Sequence, residues 1–212
     1  VIVDEAQDIS SAELSFLARH YGKKSNGLFF AGDIGQRIFR APFSWSSLGV
    51  DVRGKSNILK VNYRTSQQIR AQADLLLPKK IKDGDNQAED RSGTISIFSG
   101  ELPRIILNDD EVGEAQIVSD WIEKQISEGI TPTEIGVFVR TEHQYKRALN
   151  AIKKSGNTGV VLNYKLDGDD SSINYGTMHL AKGLEFRSVA VIACDHDALP
   201  LHERMRLFTE EA

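Results

Sequence analysis

The chain has 212 residues, of which 40% are hydrophobic and 26% charged, an ordinary balance for one or two globular domains. Its formal net charge of −4 argues against a basic protein that coats nucleic acid, so any nucleic-acid contact must use a local groove. The single cysteine, Cys194, excludes an internal disulfide, and no apolar run reaches the roughly 20 residues that span a membrane. We therefore expect a cytoplasmic protein with no membrane contact.

Short apolar runs alternate with helical patterns along the chain, which predicts an α/β fold of parallel sheets flanked by helices. Residues 79–92 are polar, charged and contain glycine, which predicts a loop or mobile excursion. Strands are predicted at residues 1–3, 28–31, 58–61, 94–98, 104–107, 135–139, 160–162 and 189–193, and helices at 11–21, 66–77, 111–128, 144–154 and 203–211.

Two of the predicted helices carry more specific signals. Ser10 precedes the first helix and Glu13 follows three residues later, a spacing that predicts a capping box. Trp45 and Trp121 are both expected in the core and not on a ligand-stacking surface. The helix at 111–128 is predicted to bury one amphipathic face, formed by Val112, Ile117, Trp121, Ile122 and Ile126.

The first strand runs directly into acidic residues, in the sequence VIVDEAQD at residues 1–8. Nucleotide hydrolases present carboxylates in this way at the carboxyl edge of a sheet, where α/β proteins bind ligands. Asp4 could then hold Mg²⁺ through water, and Glu5 could orient and deprotonate an attacking water. A charged start to a helix is the alternative interpretation.

A second block, FFAGDIGQRIF at residues 29–39, repeats the layout of a strand followed by polar residues. In a parallel sheet, this block places Gln36 beside Asp4 and Glu5. A neutral amide there can hydrogen-bond a γ-phosphate or its attacking water without electrostatic repulsion. The alternative is a Gly-Asp turn with a surface glutamine.

The two blocks resemble motifs II and III of superfamily 1 DNA helicases of the UvrD/Rep/PcrA type. Two further blocks agree in order and spacing: LKVNYRT at 59–65 resembles motif IV, and TMHLAKGLEF at 177–186 resembles motif V. IGVFVRT at 135–141 is similar to the strand-Arg-Thr segment of the family's second motor domain. The resemblance spans residue 1 to about residue 193.

This resemblance implies a RecA-like P-loop NTPase fold built from two motor domains. Residues 1–56 would be the C-terminal part of the first motor domain. Residues 57–212 would be most of the second, truncated before the last family motif. The resemblance also implies ATP and Mg²⁺ as cofactors.

The family roles that concern ATP carry over by position. Asp4 would coordinate Mg²⁺, Glu5 would be the general base and Gln36 would sense the γ-phosphate. Tyr63 would stack on the adenine, and Arg64 would act as an arginine finger from the second domain, stabilising charge on the transferring phosphoryl group. The remaining implied nucleotide contacts are Gly183, which allows close backbone approach, and Glu185, which faces the ribose or phosphates.

The family roles that concern single-stranded DNA fall on the later blocks. The phosphate backbone would be held by Thr177, His179 and Lys182. Phe39 would offer a stacking face for a base, although RAPFSW follows at residues 40–45 where the family often has Arg-Trp-Arg-Gly, so the family's stacking tryptophan is missing or displaced. Arg140 would contact DNA or form a salt bridge within its own domain.

Two family motifs do not occur in the sequence. These are the glycine-rich phosphate loop, Gly-x-x-x-x-Gly-Lys-Ser/Thr, which lies upstream of motif II in the family, and the last motif with its second phosphate-facing arginine. We therefore expect a piece of a longer polypeptide that has no appreciable ATPase activity alone. In addition, the short segment between residue 162 and motif V leaves no room for the large inserted domain of UvrD and Rep.

We expect the parent protein to bind single-stranded DNA and to couple ATP hydrolysis to movement along that strand or to unwinding. Repair or recombination proteins are the expected protein partners. Two alternatives stay open: a non-catalytic helicase-like module that binds nucleic acid or protein, and the motor part of a helicase–nuclease. The intact Asp4, Glu5 and Arg64 favour a motor over an inert module.

Overall fold

The computed structural model describes residues 1–37, 43–52, 54–76, 80–82, 85, 88–90, 93–163, 171–196 and 198. It confirms a mixed α/β protein in which parallel strands are flanked by helices. The chain divides into two compact units, Val1–Ile105 and Ile106–Ala212. The boundary between two motor domains that was predicted near residue 56 stays a prediction. Among the described residues, no helix is both long and apolar enough to cross a membrane.

The first unit begins with a parallel pair of strands, β1 (Ile2–Val3) and β2 (Phe29–Phe30), with helix α1 (Ser11–Tyr21) between them in sequence. The helix begins at Ser10, whose hydroxyl accepts from the backbone N–H of Glu13 while the Glu13 carboxylate accepts from the Ser10 N–H. This confirms the predicted capping box, which satisfies two otherwise unpaired helix-end donors.

The core beneath this sheet is aromatic. Trp45 is only 8% exposed, and its ring makes edge-to-face contacts with Phe30 and Phe43 at centroid distances of 5.0 and 5.1 Å. Leu14 and Ala18 of α1 belong to the same buried cluster. The prediction that Trp45 is a core residue is therefore confirmed.

The remainder of the first unit holds two smaller sheets. Strand β3 (Val61–Asn62) pairs in parallel with β6 (Ile95–Ser96), and helix α2 (Gln67–Asp74) follows β3 from a Ser66 cap. Between them in sequence, β4 (Lys80–Lys82) and β5 (Ala88–Asp90) form an antiparallel pair. Asp85, between these two strands, accepts hydrogen bonds from the Ser46 backbone N–H at 3.1 Å and the Ser46 hydroxyl at 2.6 Å.

Two predictions in this region are wrong. Residues 79–92 are not a loop throughout, because the backbones of β4 and β5 within this range pair with each other. Residues 104–107 alternate like a strand but form none, since alternation specifies a strand only where a partner backbone is present. Ile105 and Leu107 are each 91% exposed there.

The second unit contains a four-stranded, fully parallel sheet in the order β10-β7-β9-β8. Its elements in chain order are α3 (Glu111–Ser127), β7 (Ile135–Val139), α4 (Tyr145–Lys154), β8 (Thr158–Val161), β9 (Ser172–Thr177) and β10 (Ser188–Val191). All five residues of β7 are buried, as expected for an inner parallel strand. Helices α3 and α4 share one hydrophobic cluster with β7, β9 and β10.

The sequence predictions for this unit were correct for both helices and for β7, β8 and β10, but β9 was missed. Only Ile173 and Tyr175 give β9 an apolar alternation, which is too short to stand out. The predicted face of α3 is wrong at Val112, which is 72% exposed because the packing begins one turn later, at Ala115. The predicted helix at 203–211 lies outside the described residues.

Candidate functional site

Asp4 and Glu5 lie directly after β1, at the edge where the carboxyl ends of β1 and β2 meet. Both side chains are exposed. The Asp4 carboxylate accepts the Glu5 backbone N–H at 2.9 Å. Glu5 has a left-handed backbone, with φ 49° and ψ 41°, where the chain leaves the strand for a short 3₁₀ turn at Ala6–Asp8. A residue with a side chain adopts this conformation at a cost of about 1–2 kcal/mol.

A buried amide connects this segment to the loop after β2. The Gln7 side chain is only 2% exposed, its Oε1 accepts the Asp33 backbone N–H at 3.0 Å, and its Nε2 donates to the Glu5 carboxylate. The Asp33 carboxylate accepts the Gly35 backbone N–H at 2.8 Å and the Gln36 side-chain amide at 3.1 Å. Glu5 is thus linked to Gln36 through Gln7 and Asp33.

The two polar blocks are also held together by their backbones. The Ala6 N–H donates to Ala31 at 2.8 Å, which continues the parallel pairing past the ends of the strands. A Cβ at Gly32 would overlap Gln7 Oε1 and lie 3.0 Å from the Ala6 nitrogen, so a side chain there would displace the Gln7 amide. Sequence reasoning gave no role to Gln7; its position two residues after Glu5, within side-chain reach, was the available signal.

An open cleft of about 660 Å³ adjoins the carboxylates. Asp4, Glu5 and Asp8 line one part of it, and Phe16 and Leu17 of α1 supply apolar surface. This volume lies in the range of small-molecule sites. The cleft therefore combines acidic groups with an apolar wall.

The carboxylates suit a magnesium ion bound mainly through water. In the described part of the chain, no three His, Cys, Asp or Glu side chains converge as a metal-ligand set. Mg²⁺ takes oxygen ligands and keeps several of its waters, so one or two carboxylates together with substrate phosphates are enough to bind it. The side chains of Asp4 and Glu5 fit that donor chemistry.

The block that follows β3 forms a tight, side-chain-stabilised turn. Asn62 Oδ1 accepts the backbone N–H groups of Arg64 at 2.8 Å and Thr65 at 3.0 Å. This turn leaves Tyr63 68% exposed and leads into α2. Among the described strands, β3 pairs with β6 and belongs to a different sheet from β1 and β2. The adenine-stacking and arginine-finger roles stay predictions.

In the second unit, three of the predicted DNA-contacting residues lie at the carboxyl edge of the sheet: Arg140, Thr177 and His179. Thr177 ends β9 opposite Val139 of β7, and Arg140 follows Val139 directly. The Arg140 guanidinium Nη1 lies 3.0 Å from His179 Nε2 and 3.2 Å from Nδ1, so one ring nitrogen accepts its hydrogen. Arg140 therefore contacts His179, which is also predicted to bind DNA.

The segment after β9 is a sequence of turns that ends in an aromatic anchor. The Leu180 N–H donates to Thr177 at 3.0 Å, and Gly183 has a φ of 81°, which glycine adopts without strain. Phe186 then packs edge-to-face on Phe138 of β7, with ring centroids 5.2 Å apart. Lys182 and the exposed Glu185 lie within this anchored segment. Phe39 lies outside the described residues.

An ion-pair cluster fixes the chain where it leaves β10. Arg147 of α4 binds Glu114 of α3 with Nε and Nη2 at 2.9 and 2.6 Å, and also binds Asp195. The other Glu114 oxygen accepts the N–H of Ala193, whose φ is 55°. Burial would lower the pKa of Arg147, but its hydrogen bonds to Asp195 and Glu114 outweigh that effect and raise it. Burial raises the pKa of the Cys194 thiol beside this cluster, which makes the thiol less reactive.

Two groups of predicted residues are thus brought together, one in each unit. The first links Glu5 to Gln36 through Gln7 and Asp33, and Asp4 joins it by accepting the Glu5 backbone N–H. The second places Arg140, Thr177 and His179 at one sheet edge. The functional roles of all these residues stay predictions. Comparison of the chain with models of known protein families and with curated proteins found no match.

Proposed function

We propose that this chain supplies motifs II to V of an ATP-driven DNA translocase or helicase of the UvrD/Rep type, built from RecA-like units. The observation that carries the proposal is the geometry of Glu5. Its exposed carboxylate is bound by a buried amide, and its backbone is strained, at the carboxyl edge of a parallel strand pair. Strain of this kind concentrates at functional sites.

In the proposed reaction, Glu5 accepts a proton from the water that attacks the γ-phosphorus of ATP. The bond from that phosphorus to the β,γ-bridging oxygen breaks, and ADP leaves. Asp4 would hold Mg²⁺ through water, and the bound ion would neutralise charge on the phosphate oxygens. The Gln36 amide would donate to the γ-phosphate or orient its attacking water. The acidic and apolar surfaces of the neighbouring cleft are compatible with a small polar ligand.

Arg64 and Tyr63 would complete the nucleotide site. The guanidinium of Arg64 would stabilise the charge spread over the transferring phosphoryl group, and the exposed Tyr63 ring would stack on adenine.

Single-stranded DNA would bind through the second unit. Arg140, His179 and Lys182 offer hydrogen-bond donors to backbone phosphates, and Thr177 adds a hydroxyl. The Arg140–His179 contact and the Phe186 anchor support this assignment, because they hold polar groups at the edge of a rigid sheet.

ATP hydrolysis tests the proposal. In a full-length polypeptide that carries the phosphate loop and the last motif, we expect strong stimulation by single-stranded DNA. Glu5→Gln should abolish most turnover because it removes the base, whereas Glu101→Gln, at an exposed loop position, should match wild type. This chain alone should not turn over. Tight DNA binding with no hydrolysis in full-length wild type would instead identify an inert binding module.

Salt dependence tests the DNA surface separately from the chemistry. Consider a variant that has lost one contact with a phosphate of single-stranded DNA. A plot of the logarithm of its DNA-binding constant against the logarithm of the salt concentration should have a slope that is shallower by about 0.7. We expect Lys182→Ala to behave in this way, and Lys153→Ala, an exposed residue in the last turn of α4, to leave the slope unchanged. Equal slopes for the two variants would contradict the assignment.

A further inference from the structure

Gln7 is, among the described residues, the most buried polar side chain of the first unit, and both ends of its amide are used. The Asp33 backbone N–H can only donate, so the amide atom that faces it must be oxygen. The NH₂ group therefore faces Glu5. This assignment follows from the partners themselves, since reversing the amide would set two donors against each other.

The position of this amide is fixed by its surroundings. Gly32 packs against Oε1 so closely that a Cβ there would overlap it. The backbone bond from Ala6 to Ala31 holds the segment that carries Gln7 against the loop after β2. The donor that meets the Glu5 carboxylate is consequently placed before any substrate arrives.

We propose that Gln7 is a positioning residue that orients the Glu5 carboxylate for proton abstraction and couples it to the loop bearing Gln36. The inference rests on the proposed function and deepens it. A carboxylate on an exposed side chain samples several rotamers, and one charge-assisted hydrogen bond from a fixed donor selects among them. The same amide also accepts the Asp33 backbone N–H, and the Asp33 carboxylate accepts the Gln36 side-chain amide. Through these hydrogen bonds, the position of Gln36 affects that of Glu5.

The steady-state kinetics of full-length protein test this role. Gln7→Glu keeps the shape and the acceptor for Asp33 but replaces the donor with a second carboxylate. We expect kcat to fall by about 10–100-fold, because a misplaced catalytic group costs that much, with KM for ATP within about two-fold.

The matched control is Gln116→Glu. Gln116 donates to Asp120 on the exposed surface of α3 at 2.6 Å, so the substitution creates the same carboxylate pair in solvent. Its kcat and its KM for ATP should match those of wild type. In the double variant Gln7→Glu with Glu5→Gln, residual turnover should equal that of Glu5→Gln alone, because Gln7 acts only through Glu5.

Several outcomes would overturn the inference. Wild-type values of kcat and KM in Gln7→Glu would remove the positioning role. Additive losses in the double variant would also remove it, because they indicate a general structural effect. If Gln7→Glu fails to fold, Gln7→Met, which fills the space without either hydrogen bond, should show the same loss of kcat or the inference fails. A wild-type protein with no turnover would overturn the proposed function itself.

Discussion

Residues that are far apart in sequence determine the hydrogen bonds around Glu5. Gln7 and Asp33 are separated by 26 positions, and their hydrogen bond aims the amide at the carboxylate. The sequence indicated Asp4 and Glu5, since carboxylates after a buried strand follow a general rule of α/β proteins. For Gln7 it offered only the two-residue spacing from Glu5, because the choice of partner for an amide depends on which backbone group the fold brings to it.

Asp85 provides a pH-dependent test at the scale of single residues. Hydrogen bonds from the Ser44 and Ser46 hydroxyls lower the pKa of Asp85 from 3.8 to about 2. A carboxylate with a lowered pKa in the folded state stabilises the fold fully above its unfolded value. The stabilisation from Asp85 should therefore be present above pH 3.8 and be lost as the pH falls towards 2.

NMR titration of the Asp85 carboxyl group measures this directly. In wild type, the carboxyl group should titrate near pH 2, and in Ser44→Ala at a higher pH because one donor is gone. Ser47→Ala is the control, since Ser47 donates to the Ser44 backbone carbonyl and not to Asp85. A wild-type titration at 3.8 would show that the hydrogen bonds between Asp85 and the serines do not form in solution.

At the scale of elements, local signals predicted the structure where they were sufficient. The α1 capping box needs only Ser10 and Glu13, which are three residues apart, and it was predicted correctly. Strand β9 depends on long-range pairing with β7 and β8 and carries just two apolar side chains, Ile173 and Tyr175. Its place in the sheet therefore comes from its neighbours and not from its own pattern.

The Arg147 cluster joins α3, α4 and the end of β10, so its removal should affect the whole second unit. The side chains of Arg147 and Glu114 are 16% and 21% exposed, and Arg147→Met leaves the carboxylate without its cation. We expect a loss of about 1–3 kcal/mol in the free energy of unfolding, less than for a fully buried pair. Urea denaturation measures this loss.

The control for this experiment is Arg187→Met. The Arg187–Glu134 pair is 62% and 36% exposed at 3.5 Å, and an exposed pair contributes less than about 1 kcal/mol. A larger loss for Arg187→Met than for Arg147→Met would contradict the view that burial sets the strength of these pairs.

At the scale of the whole molecule, the two units have separate hydrophobic clusters of different character. The second unit buries five consecutive residues of β7 beneath two helices. The described part of the first unit contains short two-stranded sheets and large exposed apolar side chains, among them Leu59 at 88% and Ile105 at 91%. Less buried apolar surface means lower local stability, so we expect the first unit to unfold first.

The two tryptophans allow this expectation to be measured, because one lies in each unit. Trp45 is buried in the first cluster, and Trp121 packs against the second. In urea, fluorescence of Trp121→Phe reports the first unit and that of Trp45→Phe the second. The urea concentration at the unfolding midpoint should be lower for Trp121→Phe than for Trp45→Phe. Coincident midpoints would indicate that the chain unfolds as one cooperative body.

The left-handed backbone at Glu5 creates a conflict between two kinds of selection. Glycine, asparagine and aspartate adopt this conformation more readily than glutamate, so a library scored on folding alone would drift towards them at position 5. A library scored on turnover would return glutamate, whose carboxylate meets the Gln7 amide. If the proposed function is correct, the divergence between the two libraries measures how much stability the protein gives up for turnover.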